Sequence, residues 1–393
     1  MCVESYYKTL TIDKSVAEKL NFNPYYPVIE SGLEDPLIMN GDRFINLASN
    51  NYLGIACDQR IKRAMIEGVE KYGASMCGTP IATGYVDVFG RVERRLADFV
   101  GLEDATLFPS CYQANAGIFS VLVERADAIV VDHYAHSSLI GGVKTAGCRV
   151  LPFKHNSIEH LETILRQTSG FRQVFVVTES VFSTEGSIAP FDEIVRLCDE
   201  YGAIPVIDDS HGIGVIGNGG RGILEKKNIT SFTGIYTASL GKALANFGGM
   251  VAGKAELIDY LRYACSSLIY STALPPSILL GIEKTLDIVE TEFPVISVKM
   301  WQYKNLVSRR LESLGIPLAA GTAPITSVAC GGFEQTIRFS KQLYENRILS
   351  TPFVPPSVPQ GMGRVRLIAE ANLKDRSVER ALKAFESIAE ESS

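Results

Sequence analysis

The feature that most constrains this chain is an alternation of short apolar runs with amphipathic stretches, sustained over more than two hundred of its 393 residues. The runs ATLFPS, DAIVVDH, RVLPFKH, FRQVFVVTES, AIPVIDDSH and GGMVAG have strand length and end in turn or polar residues. Between them, QRIKRAMIEGVEKYG, GRVERRLADFVG, QANAGIFSVLVERA, IEHLETILRQTS and FDEIVRLCDEYG carry apolar residues at helical spacing and a polar opposite face. Strands joined through helices run in the same direction, so the pattern predicts an α/β fold with a mostly parallel sheet between helices. Residues 277–315 predict a long helix that Pro294 bends or divides. ITSVACGG, ILSTPFVPPS, RVRLIAE and a closing helix, RSVERALKAFESIAE, then predict a smaller C-terminal α+β domain. Pro24, Pro27, Gly32 and Pro36 mark an opening connector. The expected division is an N-terminal arm and connector at 1–45, a large domain at 46–285 and a small domain at 286–393.

Charge removes several classes of function. The net charge is -6 with no long basic block, which argues against a nucleic-acid or anionic-membrane partner. Eight scattered cysteines with no C-x-x-C pair read as thiols of a reducing compartment. No segment has the length and apolarity of a membrane span, and MCVESYYKTLTIDK lacks the apolar centre of a secretory leader. The expectation is a cytoplasmic protein.

Polar residues collect after the apolar runs, where open α/β sheets place their ligands. Asp208, Asp209 and His211 follow AIPVI; Glu179, Ser180 and Ser183 follow FVVT; Asp132, His133 and His136 follow AIVV. Lys242 stands in a small-residue loop after IYTAS, near Gly241, Gly248 and Gly249. Burial there lowers an amine pKa and suits covalent chemistry with a carbonyl. Taken singly, each residue has an ordinary structural reading: a surface lysine, a capping aspartate, a core histidine. As a set they suit an anionic, aromatic cofactor.

Other motifs fail on context. GIGVIG at 212–217 matches a dinucleotide fingerprint, but DDSH separates it from the strand and NGGRGI continues as loop. The GKA at 241–243 lacks both the earlier glycine and the Ser or Thr of a phosphate-binding loop. No zinc-ligand spacing and no G-x-S-x-G elbow is present.

NLASNNYLGI, LFPSCYQANAGI, DHYAHSSLIGG, TESVFSTEGSIAPFDEIVRLCDEYGAIPVIDDSHGIGVIG, SLGKALANFGGMVAG, STALPP and VPQGMGRVRL occur in this order from about residue 40 onward. Together they resemble the α-oxoamine synthases, fold type I enzymes dependent on pyridoxal 5′-phosphate (PLP), which include 8-amino-7-oxononanoate synthase, 2-amino-3-ketobutyrate CoA ligase and serine palmitoyltransferase. The resemblance implies that Lys242 holds PLP as a Schiff base and moves the substrate Cα proton. It implies that Asp208 pairs with the pyridine nitrogen, His211 bonds the phenolic oxygen with Ser183 nearby, and His136 stacks on the ring. Ser110, Cys111, Tyr112 and Ser239 correspond to phosphate-binding positions. Thr272 corresponds to a phosphate contact made across a homodimer, and Asn50 and Arg366 to groups that hold an amino-acid carboxylate. The implied reaction condenses an amino acid with an acyl-CoA or acyl carrier protein thioester, giving an α-amino ketone, CO2 and free thiol.

Phe89 stands where many family members have histidine, Pro80 replaces an arginine, and EANL at 370–373 replaces an Ala-Ala-His-Thr run. NPYYPVIESG resembles the serine palmitoyltransferase side of the family. Three other readings bear on the same residues: a different fold type I activity (aminotransferase or lyase), a catalytically silent partner subunit, and a dinucleotide oxidoreductase. Lys242 in context argues against the second, and the misplaced glycines against the third.

Overall fold

The structure, a computed structural model, describes residues 3–10 and 14–392. Seven strands form the central sheet: β1 (Asp104–Phe108), β2 (Ala128–Asp132), β3 (Arg149–Phe153), β4 (Val174–Glu179), β5 (Ile204–Asp208), β6 (Ile235–Ser239) and β7 (Gly249–Gly253). Their spatial order is β1-β7-β6-β5-β4-β2-β3. β7 pairs antiparallel with β1 and β6, and the remaining pairs are parallel. The expected mostly parallel sheet is therefore present, with one reversed strand. β2, β4 and β7 are buried along their whole length, as strands covered on both faces must be.

Helices Gln59–Tyr72, Asp87–Val100, Cys111–Leu122, Ile158–Leu165 and Phe191–Tyr201 fall on the amphipathic stretches. A further helix, Ser137–Thr145, was not legible, because Gly141 and Gly142 break its apolar stripe. Gly142 is required by packing: a Cβ there would lie 2.4 Å from the Asn115 carbonyl oxygen. One core layer includes Phe89, Phe99, Phe153, Phe182 and Phe191, each nearly inaccessible and contributing about 1.5–3 kcal/mol by burial.

The long C-terminal helix departs from expectation. It runs unbroken from Pro276 to Ser313, with Pro294 inside it. Pro294 is exposed while Phe293 beside it is buried, so water can satisfy the carbonyl freed by the missing N–H. β8 (Thr326–Gly331), β9 (Thr351–Phe353) and β10 (Gly363–Leu367) form a second, antiparallel sheet in the order β8-β10-β9. The hairpin Leu37–Met39/Asp42–Asn46 joins Ile348–Leu349, with Ile45 and Asn46 parallel to Ile348 and Leu349. Thus the segment up to residue 46 is tied to the C-terminal part of the chain. Among the described residues no helix is long and apolar enough to cross a membrane, and seven cysteines are free thiols; Cys2 lies outside the described residues.

Candidate active site

Register brings the acidic strand ends together. Glu179 of β4 lies opposite Asp208 of β5, and Asp208 opposite Thr237 of β6, all at the carboxyl ends of parallel strands. Lys242 sits in the β6–β7 turn, where Ala245 N donates to its carbonyl at 2.9 Å and Leu240 N donates to Gly248 O at 3.0 Å. Asn246 anchors this turn to the long helix, its Nδ2 donating to Thr285 Oγ1 at 2.9 Å. The lysine is thus presented by rigid backbone. Burial lowers the Lys242 pKa against the opposing pull of Asp208.

Lys242 lines a cavity of about 590 Å³ together with Asn50, His133, His136, Glu179, Ser183, His211 and Arg366. The VPPSVP loop contributes Pro356, Ser357, Val358 and Pro359 to the same wall. Asp208 is buried, accepting from Asn115 Nδ2 at 2.7 Å and Ser210 N at 2.9 Å. The same Asn115 nitrogen donates to Ser138 Oγ at 2.9 Å, and Asn115 Oδ1 accepts from Thr237 Oγ1 at 2.8 Å. Ser138 Oγ lies 2.7 Å from His136 Nδ1, and Ser138 N donates to that nitrogen at 3.2 Å. His136 therefore caps its helix through Nδ1 and keeps its proton on Nε2. Its ring opens to the cavity, and loss of bulk water lowers its pKa.

His211 is buried, with Nδ1 2.8 Å from the Tyr52 hydroxyl. Burial, then the charges of Lys242 and Arg366, hold its pKa well below the usual histidine value. Burial also raises Tyr52, so the hydroxyl keeps its proton and donates it to Nδ1. His211 is left with an Nε2–H donor.

Arg366, on β10, donates through Nη1 to Ser183 O at 3.2 Å and lies over the Phe353 ring at 5.0 Å. Its Nε and the Asn50 Oδ1 are buried without a partner. Unpaired buried donors and acceptors of this kind are costly unless a ligand completes them. Arg364 on the same strand pairs with Glu185 at 2.8 Å and also lines the cavity.

The other residues singled out in the sequence separate. Ser110 caps helix Cys111–Leu122, accepting from Gln113 N at 3.1 Å. Cys111 follows it, buried, with its sulfur 4.0 Å from Asp208 Oδ2. Ser239 N donates to Ser210 Oγ at 2.9 Å, placing this residue beside the same corner. The Tyr112 side chain is exposed, and Thr272 is exposed and does not line the cavity. Asp209 is structural: its Oδ2 accepts from Ile223 N at 2.9 Å and Tyr236 OH at 2.8 Å. Asp132 braces the next loop, accepting from Tyr134 N and Asn156 N. The GIGVIG segment is loop, and the next helix begins only at Ile223. Phe89 is buried against Tyr85, with ring centroids 5.0 Å apart. Sequence reasoning missed Tyr52, Asn115 and Ser138. An asparagine on the buried side of helix Cys111–Leu122 was the available signal for the second.

The aminotransferase class I and II family matches residues 42–385. An 8-amino-7-oxononanoate synthase from Thermoanaerobacter pseudethanolicus is 35% identical over 362 residues, spanning 92% of this chain and 91% of the relative. The chain belongs to the α-oxoamine synthase family. Within this family, a serine palmitoyltransferase from Sphingomonas wittichii superposes with a TM-score of 0.92 at 26% identity, covering 100% of this chain and 99% of that one. An 8-amino-7-oxononanoate synthase from Francisella tularensis superposes with a TM-score of 0.76 at 26% identity, covering 89% and 98%. The protein is a PLP-dependent C-acyltransferase.

The residues present fit PLP. Gly249 leaves room at the start of helix Cys111–Leu122, since a Cβ there would lie 2.3 Å from Cys111 N. A helix N-terminus of this kind suits a phosphate. A buried carboxylate at Asp208 suits a protonated ring nitrogen, and an amine of lowered pKa at Lys242 suits a carbonyl.

Proposed function

We propose that the cavity bounded by Lys242, His136, His211, Asn50 and Arg366 is where this enzyme joins an amino acid to an acyl thioester. The observation that carries the assignment of roles is the convergence on one cavity, which the Asn50 amide also lines, of the Lys242 amine and an unsatisfied buried donor, Arg366 Nε. An amino-acid carboxylate completes the arginine fork with charge-assisted hydrogen bonds.

PLP, when bound, supplies an electron sink for the carbanion at the amino-acid Cα. Asp208, held by Asn115 and Ser210, keeps the ring nitrogen protonated. Lys242 would hold the cofactor and, as an amine of lowered pKa beside the substrate, would carry the Cα proton. Arg366, and Asn50 through its Nδ2–H, would fix the carboxylate, and with it the Cα bond presented for cleavage. His211 donates to the phenolic oxygen through Nε2, with Ser183 beside it. His136 forms a wall against the ring face, its plane set by Ser138. The N-terminal turn at Ser110, Cys111 and Tyr112, with Ser239, receives the phosphate. In this reading the large domain, 46–285, carries the cofactor. The small domain, 286–393, contributes Arg366 and the loop at Pro356–Pro359 to the cavity wall and would shield the substrates from water.

The assembly is a homodimer in this reading. Tyr263 and Tyr270 are 71% and 83% exposed, and Tyr85, Tyr112 and Phe247 are about half exposed. Large exposed aromatic side chains in this number suit a partner surface. Thr272 is exposed as well, beside Ala273, whose N donates to Gly78 O at 3.0 Å. We place the enzyme in the cytoplasm, as its free thiols suit.

Thiol release tests the assignment. Purified enzyme with PLP, a panel of amino acids and acyl-CoA donors of graded chain length should release thiol with one amino acid strongly preferred. Arg366→Lys should raise the KM for that amino acid while leaving the KM for the thioester near wild type. Thiol release independent of the amino acid would identify a hydrolase and overturn the reading.

A further inference from the structure

The run EANL at 370–373 puts a carboxylate four residues after Arg366, and this residue is absorbed by none of the roles above. Glu370 is 2% exposed. Its Oε1 accepts from Asn46 Nδ2 at 2.7 Å and from the Ser49 hydroxyl, while Oε2 accepts from Asn51 Nδ2 at 2.8 Å. The partners have little freedom to turn. Asn46 Oδ1 accepts from Ala48 N at 3.1 Å and Ser49 N at 3.2 Å, and Asn51 Oδ1 accepts from Ala56 N at 3.1 Å. Both amides therefore present their N–H groups to Glu370. Backbone bonds flank this hub: Ile368 N donates to Leu47 O at 2.9 Å and Ala371 N to Tyr52 O at 3.0 Å.

The segment so gripped carries Asn50 and Tyr52. Asn50 lines the cavity, where its Nδ2–H is the group able to donate to a carboxylate, and Tyr52 orients His211. Arg366 lies four residues before Glu370 on the gripping side. Burial pushes the Glu370 carboxyl up to about 8, against the pull of its donors. When protonated, it shares its proton with Ser49, the partner whose oxygen can accept it.

We propose that Glu370 is a positioning residue for amino-acid recognition: it locks the 46–52 segment against the end of β10, so that Asn50 and Arg366 act as one carboxylate clamp. The proposal rests on the assignment of those two residues to that subsite. A glutamine is a poor replacement, because at either position its amide N–H faces the N–H of Asn46 or Asn51.

The test is an equilibrium titration of the PLP-loaded dimer with its preferred amino acid, followed in the visible spectrum. Wild type, Glu370→Gln, Asn50→Ala and the double variant are compared. Each single substitution should weaken the amino acid roughly tenfold, the scale of a charge-assisted hydrogen bond. The double variant should bind no more weakly than Asn50→Ala alone, because Glu370 acts through Asn50. The loss in Glu370→Gln should fall more heavily on amino-acid affinity than on kcat at saturating amino acid. Unchanged amino-acid affinity in Glu370→Gln, or effects that multiply in the double variant, would overturn the positioning role. Unchanged affinity in both Asn50→Ala and Arg366→Lys would instead overturn the subsite assignment, and the role of Glu370 with it. Ser49→Ala keeps the carboxylate and removes one donor, so it serves if Glu370→Gln does not fold. It should weaken the amino acid about threefold, and only when Asn50 is present; wild-type affinity in this variant overturns the proposal.

Discussion

Asn115 donates one amide nitrogen to both Asp208, at 2.7 Å, and Ser138, at 2.9 Å, and through Ser138 the same amide sets His136. A single buried side chain thus aligns the acidic and the stacking partner of the cofactor ring. Thr237 fixes the amide by donating to its oxygen at 2.8 Å. Replacing Asn115 with leucine keeps volume but strips a hydrogen bond from a buried carboxylate. The expected loss is about 1.5–3 kcal/mol in cofactor affinity, a ten- to hundredfold rise in Kd. Fluorescence titration of the apoprotein with PLP measures it. A lowered melting temperature with unchanged Kd would reduce Asn115 to a packing residue.

Asp208→Asn should still bind PLP, since the Ser210 N donor and the carbonyl oxygen remain compatible. Turnover should fall by about 3–4 kcal/mol, several hundredfold, because no negative charge keeps the ring nitrogen protonated. Steady-state kinetics beside a PLP titration separates the two effects. Near-normal turnover would mean that Asp208 is not the ring partner.

His211 should stay neutral well below the usual histidine midpoint. Burial and the nearby Lys242 and Arg366 charges depress its folded pKa, while the unfolded chain protonates it near 6.5. The sign follows: its contribution to stability is present above that value and is lost as pH falls. Nitrogen NMR of labelled apoprotein should show an Nε2–H tautomer that does not titrate between pH 6 and 8 (roughly the span around the free value). A midpoint near the free value would contradict the Tyr52–His211 geometry.

Asp209 predicts the opposite slope. Burial raises its carboxyl to about 7, with the Asp208 charge adding to the rise. The folded state holds this proton above the pH at which the unfolded chain releases it, so stability falls as pH rises toward about 7. Asp209→Asn keeps an acceptor for Ile223 and Tyr236 and offers an N–H to Ser180, whose hydroxyl is buried without a partner. Melting curves at acidic and at neutral pH should show a flatter dependence in the variant. A dependence as steep as wild type would place the titration elsewhere.

The sheet and its covering helices were legible because burial on both faces makes the inner strands continuous apolar runs. The carboxyl-end residues were legible because polar groups there interrupt that run. What escaped depends on packing across distance. Helix Ser137–Thr145 carries two glycines that local propensity reads as loop, yet Gly142 is demanded by the neighbouring backbone. Pro294 reads as a bend or a break, and its solvent-facing position lets the helix continue undivided. Asp208 and Asp209 are adjacent and chemically alike in the sequence. Only the strand's alternation sends one to the catalytic corner and the other into a structural bond with Tyr236. Asn115 and Glu370 act on residues far away in the chain, so the sequence marks at most a polar residue at a buried position and not its partners.

The most direct measurement follows carboxyl carbon and thiol together. Enzyme loaded with PLP is given the preferred amino acid labelled at its carboxyl group, with and without an acyl thioester, and labelled CO2 and free thiol are counted. The account predicts equal amounts of both, dependent on the thioester and abolished in Lys242→Ala. Labelled CO2 without thioester, or transfer of the amino group with the carboxyl retained, would make this a decarboxylase or an aminotransferase and contradict the account.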